Sequence, residues 1–381
     1  MKEMIVDGAE AGIRLDKFLE KLLPYAGRAF LYKMLRKKNI TLNGKKAEGS
    51  ERLRAQDHIY IFFSDETYEQ FRHGQNRSGQ NHASEDQQRP VMRSLSGHGR
   101  SMDKGNAAGL KAKAMQVPIL YEDGDMLLAD KPAGLLTQRA AKDDNSLNDW
   151  LCAYLAERQM KSPDRKEERL SYTPSAVNRL DRNTSGLVLC ARTYQAARVL
   201  SRMIRDRAIG KYYLVLVRGT VAKSQELKGF LKKDIAHNKV KITENGAGDE
   251  IHTAYTPLLY LDRHDMTLLI VQLITGKSHQ IRAHLAGCSH PVCGDPKYGD
   301  ARVNKELSAK YGIHRQLLHA FALSFPENAA WDEGRRMPLA GKTVVAPPPQ
   351  DFRKLLHSYP TGETIWQRGI QEDFAVPPLK I

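Results

Sequence analysis

The sequence predicts an α+β protein in which a small helix-rich domain precedes a larger domain built on a mixed sheet. Amphipathic helical spacing dominates the beginning of the chain, whereas short apolar runs typical of strands recur after residue 117. These runs do not alternate strictly with helices, so a doubly wound parallel sheet is not expected. With 381 residues, of which 41% are hydrophobic, the chain is long enough for two or three domains with a sizeable core.

Residues 1–65 are predicted to form the small domain. Apolar residues recur at helical spacing between residues 15 and 23, and a second helix with a strongly basic outer face begins near Arg28. Two short strands are expected at residues 40–42 and 58–63, with an Asn-Gly turn after the first. The domain is therefore predicted to combine two helices with a β-hairpin.

The segments GIRLDKFL and ITLNGKKA, followed by a strand at Asp57, resemble the RNA-binding domain first described in ribosomal protein S-four. The resemblance covers residues 1–63. It implies that the basic face of the second helix contacts RNA, where the alternative is a face that is only solvated. The implied RNA contacts are Arg14, Arg28, Lys33, Arg36 and Lys37.

The rest of the chain falls into three parts by composition. Residues 66–115 are rich in polar and basic residues without apolar periodicity, which predicts a flexible linker. Residues 116–358 are predicted to form the larger domain, and residues 359–381 an irregular C-terminal extension. In the larger domain, a helix is expected over residues 194–205, and the strand-like runs are residues 126–129, 187–190, 212–217 and 268–273.

The charge balance favours a polyanionic partner. Lysine and arginine number 59 against 44 acidic residues, which gives a formal charge of +15. Nucleic acid is the natural candidate because neutralised phosphates release counterions, although an anionic membrane surface would also suit this charge. The sequence has no apolar run of the roughly 18 residues that a membrane span needs and no signal-peptide pattern, so a cytoplasmic protein is expected.

Motifs for several common enzyme classes are incomplete. The segments at Gly276-Lys277-Ser278 and Gly341-Lys342-Thr343 end like phosphate-binding loops but lack the earlier glycine. Cys288 and Cys293 lie near two histidines, yet their spacing matches no Cys-x-x-Cys pair, so no metal site is predicted. Nucleotide-hydrolysing, redox and metalloprotease functions therefore have no support.

Three segments of the larger domain carry the candidate chemistry. They are NRLDRNTSG around Asp181, KYYLVLVRG around Tyr213, and TGKSHQIRAH around Arg282 with CGDPKYG after it. Taken alone, Asp181 is more typical of a turn or cap residue, Tyr213 of a core tyrosine, and Arg179 of a surface salt bridge. Only the order and spacing of the segments favour a function.

Together with DKPAG at Asp130 and LLHA at Leu317, these segments resemble the RluA-type family of pseudouridine synthases. The resemblance covers residues 117–352 and implies a mixed, largely antiparallel sheet. An S-four-type domain ahead of such a catalytic domain is the arrangement of the family's ribosomal-RNA members. The resemblance therefore implies isomerisation of uridine to pseudouridine in large-subunit ribosomal RNA or a pre-ribosomal particle.

The resemblance also assigns roles to residues. Conversion to pseudouridine breaks the bond from ribose C1′ to uracil N1 and joins C1′ to C5, so it requires neither cofactor nor metal. Asp181 would either attack C1′ to give a covalent ester or take a ribose proton to give a glycal-type intermediate. Tyr213 would stack on the extruded ring and help remove the C5 proton. Arg282 would pair with Asp181, and Arg179 would fill the base stack.

The sequence departs from the family pattern at two positions, and two other functions stay open. Asn178 stands where histidine is usual, and Lys277 stands where arginine is usual, which affects local hydrogen bonding or substrate choice.

The open alternatives are the same chemistry on transfer RNA and a non-catalytic RNA-binding ribosome-assembly factor. A monomer is expected.

Overall fold

The computed structural model describes residues 1–6, 8, 10–73, 115–141, 143–160, 172–234, 239–243, 246, 248–357 and 359. The described residues fall into two compact units. The first takes those within 1–115, 150–174 and 192–196, and the second takes those within 116–149, 175–191 and 197–381. No helix in these described ranges is long and apolar enough to cross a membrane.

The first unit combines three helices with a four-stranded antiparallel sheet. The helices are α1 (Leu15–Leu22), α2 (Arg28–Arg36) and α3 (Asp65–His73). The strands are β1 (Lys2–Ile5), β2 (Ile40–Leu42), β3 (Lys45–Lys46) and β4 (His58–Ile61), in the order β1-β4-β2-β3. The first two helices and the strand at residues 40–42 confirm the sequence prediction, and the strand predicted over residues 58–63 is present but ends at Ile61.

Helix α3 occupies the first residues that composition assigned to the linker. Tyr68 is buried, and Phe71 packs against the core of the first unit, with its ring centroid 4.7 Å from that of Phe30. The polar composition of residues 65–73 hid this pair of aromatic residues three positions apart, which share one helix face. The rest of the predicted linker, residues 74–114, lies outside the described residues, as does most of the predicted extension.

The second unit is built on an eleven-stranded sheet. Nine strands follow the order β11-β10-β12-β13-β9-β14-β8-β6-β5, while β15 pairs with β14 and β7 pairs with β8. Their bounds are β5 Ile119–Glu122, β6 Met126–Lys131, β7 Ser175–Ala176, β8 Ser185–Ala191, β9 Gly210–Arg218, β10 Gln225–Asp234, β11 Lys239–Thr243, β12 Asp249–Leu261, β13 Met266–Leu273, β14 Leu318–Ser324 and β15 Thr343–Val345.

Five further helices follow residue 115 in the part of the chain that the structure describes, and residues 150–160 and 194–196 of the first two belong to the first unit. They are α4 (Leu147–Met160), α5 (Tyr194–Arg205), α6 (Gln280–Gly287), α7 (Ala301–Tyr311) and α8 (Gln350–His357). The structure confirms the helix predicted over residues 194–205. Leu307 of α7 and Phe352 and Leu355 of α8 share one buried apolar cluster with Leu216 and Leu268 of the central strands. This cluster fixes one face of the sheet.

The sheet is mixed but largely antiparallel, as the family resemblance implies. Its parallel pair is β8 with β14, and each of the other strand pairs in the described residues is antiparallel. All seven residues of β8 are buried, which explains why this strand has a continuous apolar sequence rather than an alternating one. The sheet therefore has a dry centre, where β9 carries Tyr213 and where β8 follows the turn that contains Asp181.

Candidate active site

Asp181 lies in a tight turn that leads into β8. The carbonyl of Asp181 accepts a hydrogen bond from the backbone N–H of Thr184 (3.1 Å), and the side chain is 26% exposed. The preceding residue is held from both sides. The hydroxyl of Thr137 accepts from the N–H of Leu180 (3.1 Å) and donates to its carbonyl (3.1 Å). The backbone that carries Asp181 is therefore fixed by a buried side chain.

A buried lysine holds the other side of the same turn. The Lys131 ammonium is fully buried and donates to the carbonyls of Pro132 (2.9 Å), Leu135 (2.8 Å) and Arg182 (3.1 Å). Burial, reinforced by the charge of Arg315, lowers the pKa of Lys131 to about 7. Since its three donors all have backbone acceptors, Lys131 acts as a brace of the loop.

A close approach of two strands brings Tyr213 to the same pocket. On β14, Ala320 pairs with Tyr213 of β9 on one side and with Gly186 of β8 on the other. Gly186 has a φ of +111°, and a Cβ atom there would lie 2.2 Å from the carbonyl oxygen of Ala320. The glycine of the TSG segment is thus required by packing. It allows the turn of Asp181 and the ring of Tyr213 to line one cavity.

Tyr213 carries its hydroxyl in a buried environment. Burial raises the pKa of this group well above its usual range, and the negative charge of Asp181 raises it further. The hydroxyl is therefore protonated at neutral pH, and the aromatic ring forms a wall of the pocket together with Leu273 and Leu318.

Arg282, on α6, is shared between two carboxylates. Its Nη1 donates to Oδ2 of Asp181 (2.8 Å), whereas Nε and Nη2 form a bidentate pair with Asp295 (2.6 and 2.8 Å). Asp295 is fully buried and also accepts from the N–H groups of Lys297 (2.8 Å) and Tyr298 (3.2 Å). The bidentate pair with Asp295 thus fixes the orientation of the guanidinium, which donates its remaining hydrogen bond to Asp181.

The electrostatics of this pair follow from burial and close contact. Burial alone would lower the pKa of Arg282, but hydrogen bonds to Asp295 and the charges of both acids raise it instead. Burial would likewise raise the pKa of Asp295, but hydrogen bonds from Arg282 and from the backbone lower it. The sequence predicted no role for Asp295. The signal that could have indicated one is its place in CGDPKYG, a segment shared with the family pattern.

The Asp181 carboxylate keeps one oxygen open. Its Oδ2 accepts from Arg282, whereas Oδ1 accepts no hydrogen bond from any residue that the structure describes. A groove of about 680 Å³ passes this carboxylate. Its lining includes four cationic side chains, Arg179, Arg182, Lys277 and Lys297. Basic side chains around an open carboxylate suit an anionic substrate whose reacting atom must reach Oδ1.

The two departures from the family pattern have local structural roles. The Asn178 side chain accepts from the N–H of Leu189 (2.7 Å) and donates to the carbonyl of Leu187 (3.5 Å), so it pairs with β8 as a strand would. The Lys277 ammonium forms an ion pair with Asp249 (2.9 Å) at the surface. Among the described residues, neither side chain forms a hydrogen bond or an ion pair with Asp181.

The basic residues predicted to contact RNA in the first unit fall into two groups. Arg14 donates to the buried carboxylate of Asp16 (2.9 and 3.1 Å), and Arg28 lies 3.8 Å from the same carboxylate. The other predicted residues are exposed on α2 or directly after it: Lys33, Arg36 and Lys37. Among the residues that the structure describes, no acidic side chain forms an ion pair with the second group, whereas the first group is partly neutralised within the protein.

The cysteines form no metal centre. Cys293 is buried and Cys288 is half-buried. Within the part of the chain that the structure describes, no group of three or more potential metal ligands comes together.

The fold and the pocket define an α+β enzyme that presents an arginine-held carboxylate beside a cationic groove. A family model described as RNA pseudouridylate synthase matches residues 125–287. An uncharacterized RNA pseudouridine synthase of Mycoplasma pneumoniae is 30% identical over 331 residues, which cover 85% of this chain and 88% of that protein. The chain therefore belongs to the RluA-type family of RNA pseudouridine synthases, and it isomerises uridine to pseudouridine in RNA.

Two further similarities agree with this assignment. Ribosomal large subunit pseudouridine synthase C of Pasteurella multocida is 27% identical over 365 residues, which cover 93% of each chain. The structure of human RNA Pseudouridylate Synthase Domain Containing 4 aligns with a TM-score of 0.50 at 22% identity, over 66% of this chain and 97% of that one. The structural match supports the fold, and the predicted family, fold class and activity are confirmed.

Proposed function

We propose that Asp181 is the carboxylate that acts on the ribose and that the substrate is large-subunit ribosomal RNA. The observation that carries the first part is the open Oδ1 of a carboxylate whose other oxygen is held by a buried arginine. An oxygen fixed in this way is oriented before the substrate arrives, which removes an entropic cost from the reaction. Attack on C1′ and removal of a ribose proton would both use Oδ1.

Arg282, Asp295 and Tyr213 support this role in different ways. Arg282 holds Asp181, and the bidentate pair with Asp295 holds Arg282 in turn. Tyr213 presents a neutral hydroxyl and an aromatic face, which suits stacking against an uncharged uracil ring. Arg179 is exposed at the rim of the pocket, where it could replace the extruded base in the RNA stack.

The preference for ribosomal RNA rests on two observations. The similar enzyme of Pasteurella multocida, whose name assigns it to the large ribosomal subunit, matches over 93% of both chains. In addition, α2 of the first unit presents Lys33, Arg36 and Lys37 to solvent. We therefore propose residues 1–65 as an S-four-type RNA-binding domain and residues 116–358 as the catalytic domain.

We further propose that the enzyme works as a monomer in the cytoplasm. Asp181, Tyr213 and Arg282 all come from one chain, so the pocket needs no second copy. Light scattering should give a mass near 43.0 kDa, and a dimer mass would contradict the proposal. Fractionation of cells should recover the enzyme with the cytoplasmic ribosomal material.

The test uses purified enzyme with transcripts of large-subunit ribosomal RNA and of transfer RNA, followed by mapping of carbodiimide-dependent stops. New stops are expected in ribosomal RNA with the native enzyme and none with Asp181→Asn. The matched control is Asp206→Asn, an exposed acid that should leave the stops unchanged. Stops confined to transfer RNA would overturn the proposed substrate, and stops made by Asp181→Asn would overturn the proposed residue.

A further inference from the structure

His279 lies directly before α6 in an uncommon backbone conformation. Its φ is 56° and its ψ is 13°, in the left-handed region that few residues other than glycine adopt, although asparagine, aspartate and histidine occur there more often than the rest. At this N-cap position, Ser, Thr, Asp and Asn are favoured because they cap the helix, but the His279 side chain makes no capping hydrogen bond. Helix capping therefore does not account for a histidine at this position.

The imidazole instead bridges two parts of the site. Its Nδ1 lies 3.0 Å from the hydroxyl of Tyr298, and that hydroxyl accepts from the N–H of Val240 (2.8 Å). The Tyr298 ring lies against the guanidinium of Arg282, 5.1 Å from its centroid. The other nitrogen, Nε2, lies 3.9 Å from Oδ2 of Asp181. The ring is thus held at one end and aimed at the carboxylate with the other.

The protonation state follows from these surroundings. Burial lowers the pKa of His279. The negative charge of Asp181 raises this pKa, whereas the positive charges of Arg282 and Lys297 lower it further, and the net shift is downward. The imidazole is therefore neutral at pH 7 and carries one proton. A lone pair on Nε2 would be repelled by the negative charge of the Asp181 carboxylate, whereas an N–H group on Nε2 is attracted by that charge. The favoured tautomer has the proton on Nε2 and accepts from Tyr298 at Nδ1.

We propose, on the basis of the role proposed above for Asp181, that His279 is a positioning residue for the catalytic carboxylate. When RNA fills the pocket, Nε2–H closes on Oδ2 and, together with Arg282, turns Oδ1 toward the ribose. A distance of 3.9 Å is longer than a hydrogen bond, but such contacts commonly tighten in the substrate complex. A neutral donor at Oδ2 orients the carboxylate without placing a second cation beside a group whose other oxygen, Oδ1, must stay reactive.

Two amide substitutions separate this role from a structural one. The side-chain nitrogen of His279→Gln takes the place of Nε2, whereas that of His279→Asn takes the place of Nδ1. Asparagine also suits the left-handed backbone better than glutamine does. Local stability therefore favours His279→Asn, while the proposed hydrogen bond favours His279→Gln, so the two explanations predict opposite orders.

The experiment measures single-turnover rates, RNA affinity and melting temperature for both variants, His279→Ala and Asp181→Asn. His279→Gln should keep the native rate within about fivefold, whereas His279→Asn and His279→Ala should lose roughly 10²-fold, the scale of a small misplacement of a reacting group. RNA affinity should not change. The matched control is His314→Gln, an exposed histidine that should keep the full rate.

Each other outcome overturns the inference. If every His279 variant reacts at the native rate while Asp181→Asn is inactive, His279 does not position Asp181, and the proposed function stands. If His279→Gln is as slow as His279→Asn, an N–H at Nε2 is not what matters. If RNA affinity falls in parallel with the rate, His279 binds substrate instead. If Asp181→Asn is active, the proposed function fails and the inference fails with it.

Discussion

The tripeptide Arg-Leu-Asp occurs in both units, and its two aspartates have opposite environments. In the first unit, Asp16 is 3% exposed, and both of its oxygens accept hydrogen bonds from Arg14, Tyr32 or the backbone of Lys17. In the second unit, Asp181 is 26% exposed and accepts from one arginine at one oxygen. The same local sequence therefore gives a saturated acid and an open one.

The difference shows how an arginine near an acid should be interpreted. In the first tripeptide, Arg14 donates hydrogen bonds to Asp16 of the same tripeptide. In the second, the arginine that donates to Asp181 is Arg282, which is distant in the sequence. A carboxylate whose acceptor positions are filled stabilises the fold and has nothing left for a substrate. A carboxylate with an open oxygen, fixed from behind, is suited to react.

The strongest test of this comparison replaces each aspartate with asparagine. Asp181→Asn should lower the rate of pseudouridine formation by at least about 10⁴-fold, as expected when an essential nucleophile or base is removed. Asp16→Asn should leave the catalytic rate constant at saturating RNA unchanged because Asp16 has no open oxygen. Single-turnover assays on both variants measure this. A lost rate in folded Asp16→Asn would break the comparison.

The next test removes the acid that holds Arg282. Asp295→Asn should lower the rate roughly 10²-fold because the guanidinium can shift away from Asp181. It should also lower the free energy of unfolding by about 3 kcal/mol because a buried charge loses its partner. Urea denaturation and single-turnover assays give the two values. Asp332→Asn, in a more exposed arginine pair, is the control and should cost less than about 1 kcal/mol. Equal effects would contradict the assigned role of Asp295.

The saturated acid predicts a pH-dependent stability. Burial would raise the pKa of Asp16, but hydrogen bonds from Tyr32 and Arg14 outweigh it and lower the pKa. The carboxylate therefore stabilises the fold fully above its unfolded pKa of about 4, and this stabilisation is lost as the pH falls through the lower folded value. Asp16→Asn should cost about 2 kcal/mol at pH 7.

Urea denaturation from pH 7 down to pH 2 measures this effect. The difference in unfolding free energy between the native protein and Asp16→Asn should be constant at neutral pH and shrink in the acid range. A difference that stays constant to the lowest pH would show that the charge of Asp16 does not stabilise the fold.

The smallest effect expected is that of one donor to Asp16. Tyr32→Phe removes the 2.8 Å hydrogen bond from the hydroxyl and should lower the free energy of unfolding by about 1 kcal/mol. The aromatic ring beside Arg28 is retained in this variant. Tyr25→Phe, at an exposed position, is the matched control and should have no measurable effect. If the denaturation curves of Tyr32→Phe and Tyr25→Phe both superimpose on that of the native protein, the hydroxyl of Tyr32 does not stabilise Asp16.

Local pattern was sufficient for the elements whose apolar period is strong. The helix over residues 194–205 and the central strands β9 and β13 were predicted because each buries a continuous or periodic apolar face. Helix α3 was missed because two aromatic residues among polar ones give a weak signal. The pairing of β8 with β14 was not predictable from local pattern, since it joins residues more than a hundred positions apart.

The sequence by itself determined the family, the order of the motifs and the identity of the candidate acid Asp181. The roles of Asp295 and His279 were not predictable from their neighbours along the chain. Only the structure shows that Asp295 pairs with Arg282 and that His279 lies beside the carboxylate of Asp181. Only the tertiary structure decided that the aspartate of the first Arg-Leu-Asp is saturated and that the aspartate of the second has an open oxygen. The physical reason is that the number of donors around a carboxylate depends on which distant segments pack against it, and packing is a property of the folded chain.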